Sequence, residues 1–326
     1  MARSRRFIES NSLFEIVFRA RSGIPLPCTE YMKLIVLGCL ARTQRDDKVK
    51  LAHFVVMGNH VHIIVVGHRN EEAVTKFYME LKKKLTESIK QILDLDFLHL
   101  WDGPTTLIRI LDLDKAIERI AYCYANPARA NLADRVENYP GVSSWSRFQA
   151  TEQKIGAVNS TKVKWYRYAT LMPIGTLTPI VYLFAFSRFE SVEHVLELHP
   201  NCWMSLFGVT DSVEVGEINQ QIMAAVRDYE LQARELRKEL KKAVWSVRSL
   251  RKQAPTVSGY EPRTRDRKIF FLGSTKENRI EYLERFKAFV EHCAELFQIW
   301  RKGDFSVVWP PHAFIPWIPP LKCAAV

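Results

Sequence analysis

Apolar and polar residues change period several times along the first half of the chain, and each change predicts an element. Residues 12–21 (SLFEIVFRAR) alternate, which is the two-residue period of a strand. Between residues 29 and 44, Met32, Ile35, Val36, Cys39 and Leu40 recur at spacings of three and four and predict a helix. Residues 51–57 (LAHFVVM) and 60–66 (HVHIIVV) are β-rich runs joined by Gly58-Asn59, a two-residue hairpin signal. A helix with a Lys-rich outer face is expected from Glu71 to near Leu93. A strand region follows, Phe97 to Ile110, interrupted at Gly103-Pro104. The next helix starts near Asp114 and is expected to stop at Asn126-Pro127, because a proline pushes the residue before it out of the helical region. Strand, helix, hairpin, helix, strand, helix is the order of an α+β fold, with an antiparallel sheet and helices on one of its faces.

The pattern changes near residue 150, which divides the chain into residues 1–150 and a mainly helical C-terminal region, 151–326. Residues 151–186 read as strand or irregular chain. The most apolar stretch, Leu171 to Phe186, is short for a membrane span and carries Pro173, Gly175 and Pro179, so it reads as core. Residues 213–253 carry an apolar seam at Ile218, Ile222, Ala225, Tyr229, Leu236, Leu240, Ala243, Val247 and Leu250. A second helical pattern runs through Ile280, Leu283, Phe286, Val290, Cys293, Phe297 and Trp300. The two helices are expected to pair as a hairpin, or the 213–253 helix to form a homodimer contact. The Pro- and aromatic-rich tail from Trp309 to Pro320 reads as an extended packed segment.

Composition narrows the classes. With 326 residues and 47% hydrophobic side chains, the chain can bury about two cores. Its net charge of +11 points to a polyanionic partner, nucleic acid ahead of an anionic membrane surface, although a solvated basic surface gives the same balance. Six cysteines are scattered without a C-x-x-C pair, against a zinc ribbon or a disulfide framework and in favour of a reducing, cytoplasmic setting. Basic residues open the chain, but Glu9, Asn11 and Glu15 interrupt any apolar run of a signal peptide. No Walker-type phosphate loop occurs in residues 151–326, so a fused helicase is not expected.

Candidate chemistry sits in two short runs. His60 and His62 are two apart on a predicted strand, so both imidazoles face one side of the sheet and can share a metal ion. The same spacing also suits two strand histidines satisfied by hydrogen bonds. His53 and His68 fall outside the spacing and read as ordinary polar positions. In Tyr122-Cys123-Tyr124-Ala125-Asn126-Pro127, Tyr122 and Asn126 lie four apart on one helical face. An amide oxygen at Asn126 would suit a third metal ligand, and a phenol at Tyr122 would suit attack on phosphorus. Tyr124 points elsewhere and reads as packing; taken alone, Tyr122 too reads more often as a core tyrosine.

The run V-V-M-G-N-H-V-H-I-I-V (residues 55–65) followed by Tyr122, Asn126, Pro127, Arg129 and Ala130 resembles the single-tyrosine HUH transposases of the IS200-like class, and within it the REP-associated tyrosine transposases. The Pro-x-Ser-Ser stretch usual after these runs is present in looser form, Tyr139-Pro140-Gly141-Val142-Ser143-Ser144-Trp145. Gly58 stands where that family usually has proline, and Asn131 where it has glycine. The resemblance spans roughly residues 12–148. It implies an RRM-like (ferredoxin-like) antiparallel sheet, His60, His62 and Asn126 on Mg²⁺ or Mn²⁺, Tyr122 as nucleophile, and a 5′-phosphotyrosine link beside a free 3′-hydroxyl. Residues 1–150 would be the catalytic domain of a bacterial, nucleoid-associated protein, acting on single-stranded DNA or DNA hairpins in transposition or recombination. A non-catalytic DNA-hairpin-binding protein and a replication-initiator or relaxase-like nickase are the alternatives. For DNA contacts, Arg109 and Arg129 lie near the two runs in sequence. Lys82 and Lys83 belong to the Lys-rich helix, and Lys241, Lys242, Arg248 and Arg251 to the basic C-terminal segment, where a grip on DNA outside the cut site is expected.

Overall fold

The computed structural model describes residues 7–21, 23–47, 49–67, 71–171, 189–255, 269–311, 313 and 315–316. His68, the apolar stretch after Leu171, and residues 256–268 of the basic segment lie outside these. The tail beyond Pro316 lies outside them too.

Strand β1 (Ser12–Ala20), helix α1 (Glu30–Asp47), strands β2 (Lys50–Val56) and β3 (His60–Gly67), helix α2 (Glu71–Ile92) and strand β4 (Trp101–Ile110) follow in the expected order. The four strands lie side by side as β2-β3-β1-β4 with every neighbour antiparallel, the ferredoxin-like arrangement. The Gly58-Asn59 hairpin is closed by the Met57 N–H donating to His60 O at 2.8 Å. Strand β4 runs unbroken through Gly103-Pro104. Gly103 takes a positive φ of 61°, and the register with β1 shifts between Val17 and Arg19. Proline is tolerated there because the outer edge of β4 is unpaired at that point. Strand β8 (Phe271–Leu272) pairs in parallel only with Arg109 and Ile110, which makes the six-stranded sheet mixed. Strand β5 (Val142–Ser143) closes the other edge on β2.

Helices cover both faces of the sheet, not one. Phe14, Ile16, Phe18, Ile63 and Val65 pack under α1 and α2; Leu13, Ile64, Val66 and Ile110 pack under helix α3 (Leu113–Arg129). The central strands carry apolar residues at both parities, so each face needs cover.

Helix α3 also passes its expected stop and continues through Pro127 to Arg129. Pro127 cannot donate to Cys123 O, but the Asn126 side chain does: its Nδ2 donates to Tyr122 O at 3.0 Å and to Cys123 O at 3.4 Å. The helix then ends in a Schellman turn, with Leu132 N–H donating to Pro127 O and Asn131 N–H to Ala128 O. Asn131 holds φ at 59°, a left-handed conformation that asparagine tolerates better than most residues with a Cβ.

Beyond residue 150 the chain packs on both sides of this unit. Helix α4 (Trp145–Gln149) leads to β6 (Asn159–Tyr166), which pairs with β7 (Ser191–Leu198) as a two-stranded sheet against α1. Gly38 permits that approach, since a Cβ there would lie 2.3 Å from Lys164 O. Helix α5 (Ser212–Glu239) packs along α3, followed by the short α6 (Val247–Arg251). Its seam at Val215, Ile218, Ile222, Val226 and Ala233 is buried within the chain against the α3 side of the core. Helix α7 (Lys276–Arg301) does not run along α5 as a hairpin. It sits beside β8, where Tyr282, Phe286 and Phe289 surround Phe7. No described helix is long and apolar enough to cross a membrane.

Candidate active site

The central histidines stand opposite β1, with His62 across from Val17 and His60 across from Arg19. Their side chains emerge on the face covered by α3, and the two rings lie 5.1 Å apart. His62 Nδ1 bonds to Glu15 Oε1 at 2.8 Å, and His60 Nδ1 to Asn59 Oδ1 at 2.8 Å. Both Nδ1 atoms face oxygen acceptors, which leaves Nε2 as the ring nitrogen of each that a further partner can meet. Burial, reinforced by the charges of His62 and Arg19 and opposed by a hydrogen bond with Asn126, holds His60 down at about 3. It is therefore a neutral imidazole at physiological pH.

Helix α3 brings the second run onto this face. Tyr122 is half-buried, and its ring centre is 6.1 Å from that of His62. Asn126 is 8% exposed, and its carboxamide is in hydrogen-bonding reach of His60. Because Nδ2 is committed to the helix carbonyls, Oδ1 is the atom offered to the site. Two imidazoles and one amide oxygen are a mixed nitrogen and oxygen donor set of the kind that fits a divalent metal ion. Among the described residues no three His, Cys, Asp or Glu side chains are grouped to hold a metal, so a metal here would take the amide as third protein donor.

Glu15 organises the floor. It is fully buried and also accepts from Arg119 Nε at 2.9 Å and Nη2 at 2.6 Å. Burial alone would raise its pKa; the His62 hydrogen bond and the Arg119 charge outweigh burial and hold the carboxyl below its ordinary value of 4.5. Arg119 in turn lies 4.2 Å from the Tyr122 ring centre, and Arg129 lies 4.4 Å from it. The phenol ring thus sits against two guanidinium groups. Around it opens a cleft of about 780 Å³, floored by β1, β3 and β4 and walled by α3 and α5. It also receives Arg19, Tyr229 and Lys242.

No protein-family profile and no curated protein matches this chain. Among solved structures, a REP-associated tyrosine transposase bound to a REP hairpin is similar over 46% of this chain and 86% of that chain, at 18% identity and a TM-score of 0.40. That is a partial likeness of shape, and the chemistry rests on the residues in the cleft.

The structure brings together His60, His62, Asn126, Tyr122, Arg129 and Lys242. Arg109 faces the other side of the sheet, 5.5 Å from the Phe14 ring centre and 3.8 Å from Glu9. Lys82, on α2, bonds to Thr105 on that same far side, and Lys83 is exposed on the same helix. Lys241, Arg248 and Arg251 are exposed outside the cleft, with Arg251 3.9 Å from Glu30. Tyr124 is fully buried and bonds to His53 Nδ1 at 2.8 Å and Ser144 Oγ at 2.9 Å. His53 is part of the core and not an ordinary polar position, and burial lowers it to about 3.

Glu15, Arg19, Arg119 and Tyr229 line or support the cleft but were not read from the sequence as site residues. Two carry a signal there: Glu15 is a charge inside an apolar strand, and Arg119 precedes Tyr122 by one helical turn. Tyr229 carries none, because only packing brings α5 to α3.

Proposed function

We propose that this protein cleaves and rejoins single-stranded DNA, with Tyr122 as nucleophile and Mg²⁺ or Mn²⁺ held by His60, His62 and Asn126. The observation that carries this reading is the convergence, in one basic cleft, of two imidazoles held through Nδ1, an amide group beside them and a phenol flanked by guanidinium groups. The motif resemblance adds to it.

When bound, the divalent ion supplies Lewis-acid polarisation of the scissile phosphate. Arg119 and Arg129 place positive charge where the phosphate and the developing phenolate gather negative charge. Tyr122 Oη attacks phosphorus and loses its proton to water. The O–P bond to tyrosine forms as the bond to the 3′-oxygen breaks and that oxygen takes a proton from water, leaving a 5′-phosphotyrosine and a free 3′-hydroxyl. Attack by a 3′-hydroxyl on the same phosphorus reverses the step, so rejoining needs no external energy source. Arg129 and Lys242 bind the strand's phosphates beside the cut.

The test is covalent capture. Wild-type protein with Mn²⁺ and a pool of single-stranded and hairpin oligonucleotides is expected to give adducts that survive denaturing gels. They disappear in Tyr122→Phe and with chelator, and persist in Tyr124→Phe. Adducts that persist in Tyr122→Phe would refute the assignment; retained hairpin binding with no adducts in wild type would favour a binding protein.

A further inference from the structure

We infer that the C-terminal half of α5 forms a subsite for an unstacked nucleobase next to the cut phosphate. The inference rests on the cleft being a single-stranded DNA site.

The wall opposite α3 has an unusual composition for a basic cleft. Tyr229 lies edge-on to Tyr122, with ring centres 6.3 Å apart and planes at 90°. The Arg129 guanidinium is 4.4 Å from the Tyr122 ring centre and 6.0 Å from that of Tyr229. One turn or more beyond, Leu236 and Leu240 line the same cleft and are 55% and 53% exposed; Ile269, across from them, is 49% exposed. The first part of the α5 seam is buried against α3, so these residues continue a packing face into open space. Lys242 stands at the rim.

Apolar and aromatic groups exposed beside cations in a concave site match a nucleotide. The cations take the phosphate, and the flat apolar wall takes a base removed from its stack. The wall is held firmly enough to discriminate. Arg237, 4% exposed, donates to Ala128 O at 2.7 Å and Asp134 at 2.6 Å, and Glu230 accepts from Val136 N at 2.7 Å. These bonds fix α5 against the end of α3 that carries Asn126 and Arg129. The expected ligand is a single base adjoining the phosphate that Tyr122 attacks, recognised by its face more than by its edge.

The experiment measures binding by fluorescence anisotropy, in chelator so that nothing is cut. It uses two labelled strands of about 16 nucleotides, one of thymidines and one of abasic sites on the same backbone. The full-length protein is expected to bind the thymidine strand at least about fivefold more tightly. That ratio falls toward one in Tyr229→Ala and in Leu236→Ser, and survives in Tyr229→Phe, which keeps the ring. Leu236 is outside the core, so Leu236→Ser carries the test if Tyr229→Ala does not fold. Equal binding of both strands by wild type, or a ratio unchanged in the folded variants, overturns the subsite. The covalent-capture assay reads separately. Base preference without adducts overturns the chemistry and keeps the subsite, and adducts without base preference do the reverse.

Discussion

Glu15 ties His62, the proposed metal ligand, to Arg119, the cation against the proposed nucleophile Tyr122. Its carboxylate accepts from His62 Nδ1 at 2.8 Å and from Arg119 at 2.9 and 2.6 Å, and is wholly buried. Glu15→Ala leaves the Arg119 charge, 15% exposed, without its partner, and a loss of about 3–5 kcal/mol is expected. Glu15→Gln keeps the volume and one acceptor; hydrogen bonds to charged groups contribute about 1.5–3 kcal/mol, so the glutamine variant loses that order and still folds. Without the carboxylate, His62 loses the acceptor that orients its ring, and Mn²⁺ affinity is expected to drop about 10–100-fold. Urea melts give the first number and calorimetric Mn²⁺ titration the second. The carboxyl is held below 4.5, so its stabilising effect is full above that pH and fades as the pH falls through the folded-state value. The stability gap between wild type and Glu15→Gln should therefore narrow in acid. A Glu15→Gln protein that loses stability but binds Mn²⁺ within about twofold of wild type would make Glu15 a core ion-pair residue with no part in the site.

Three further outcomes are expected. Asn126→Asp places a carboxylate against Tyr122 O and Cys123 O in place of a donor, so the metal-free protein loses about 1–3 kcal/mol in urea melts; Mn²⁺ restores part of it, and a variant as stable as wild type without metal would contradict the account of α3 passing Pro127. Arg237→Ala removes a buried cation that holds Ala128 O and Asp134, with a loss of about 3 kcal/mol by thermal melting. Asn131→Val forces a β-branched residue to φ near 59° and costs about 1–2 kcal/mol, whereas Asn131→Gly is neutral or stabilising; the reverse order would refute the helix-end geometry.

The sequence by itself determined the local geometry of the site. A two-residue period put His60 and His62 on one face, and a helical period aligned Tyr122 with Asn126, because neighbouring dihedrals alone set these relations. The order of elements was equally legible, since each period is a local property. Tertiary structure decided everything that depends on which face meets which. Arg109 shares β4 with Thr106 and Ile108, but that strand is covered on both sides, so alternation could not say that arginine faces away from the cleft. The apolar seam of α5 suited a second copy as well as α3, for burial of apolar surface has no preferred partner until shape selects one. Helix α3 outran its proline because the Asn126 side chain supplied the missing donor. Contacts such as Glu15 with Arg119, or Tyr229 with Tyr122, join residues about a hundred positions apart, and only the packed sheet and helices bring them within reach.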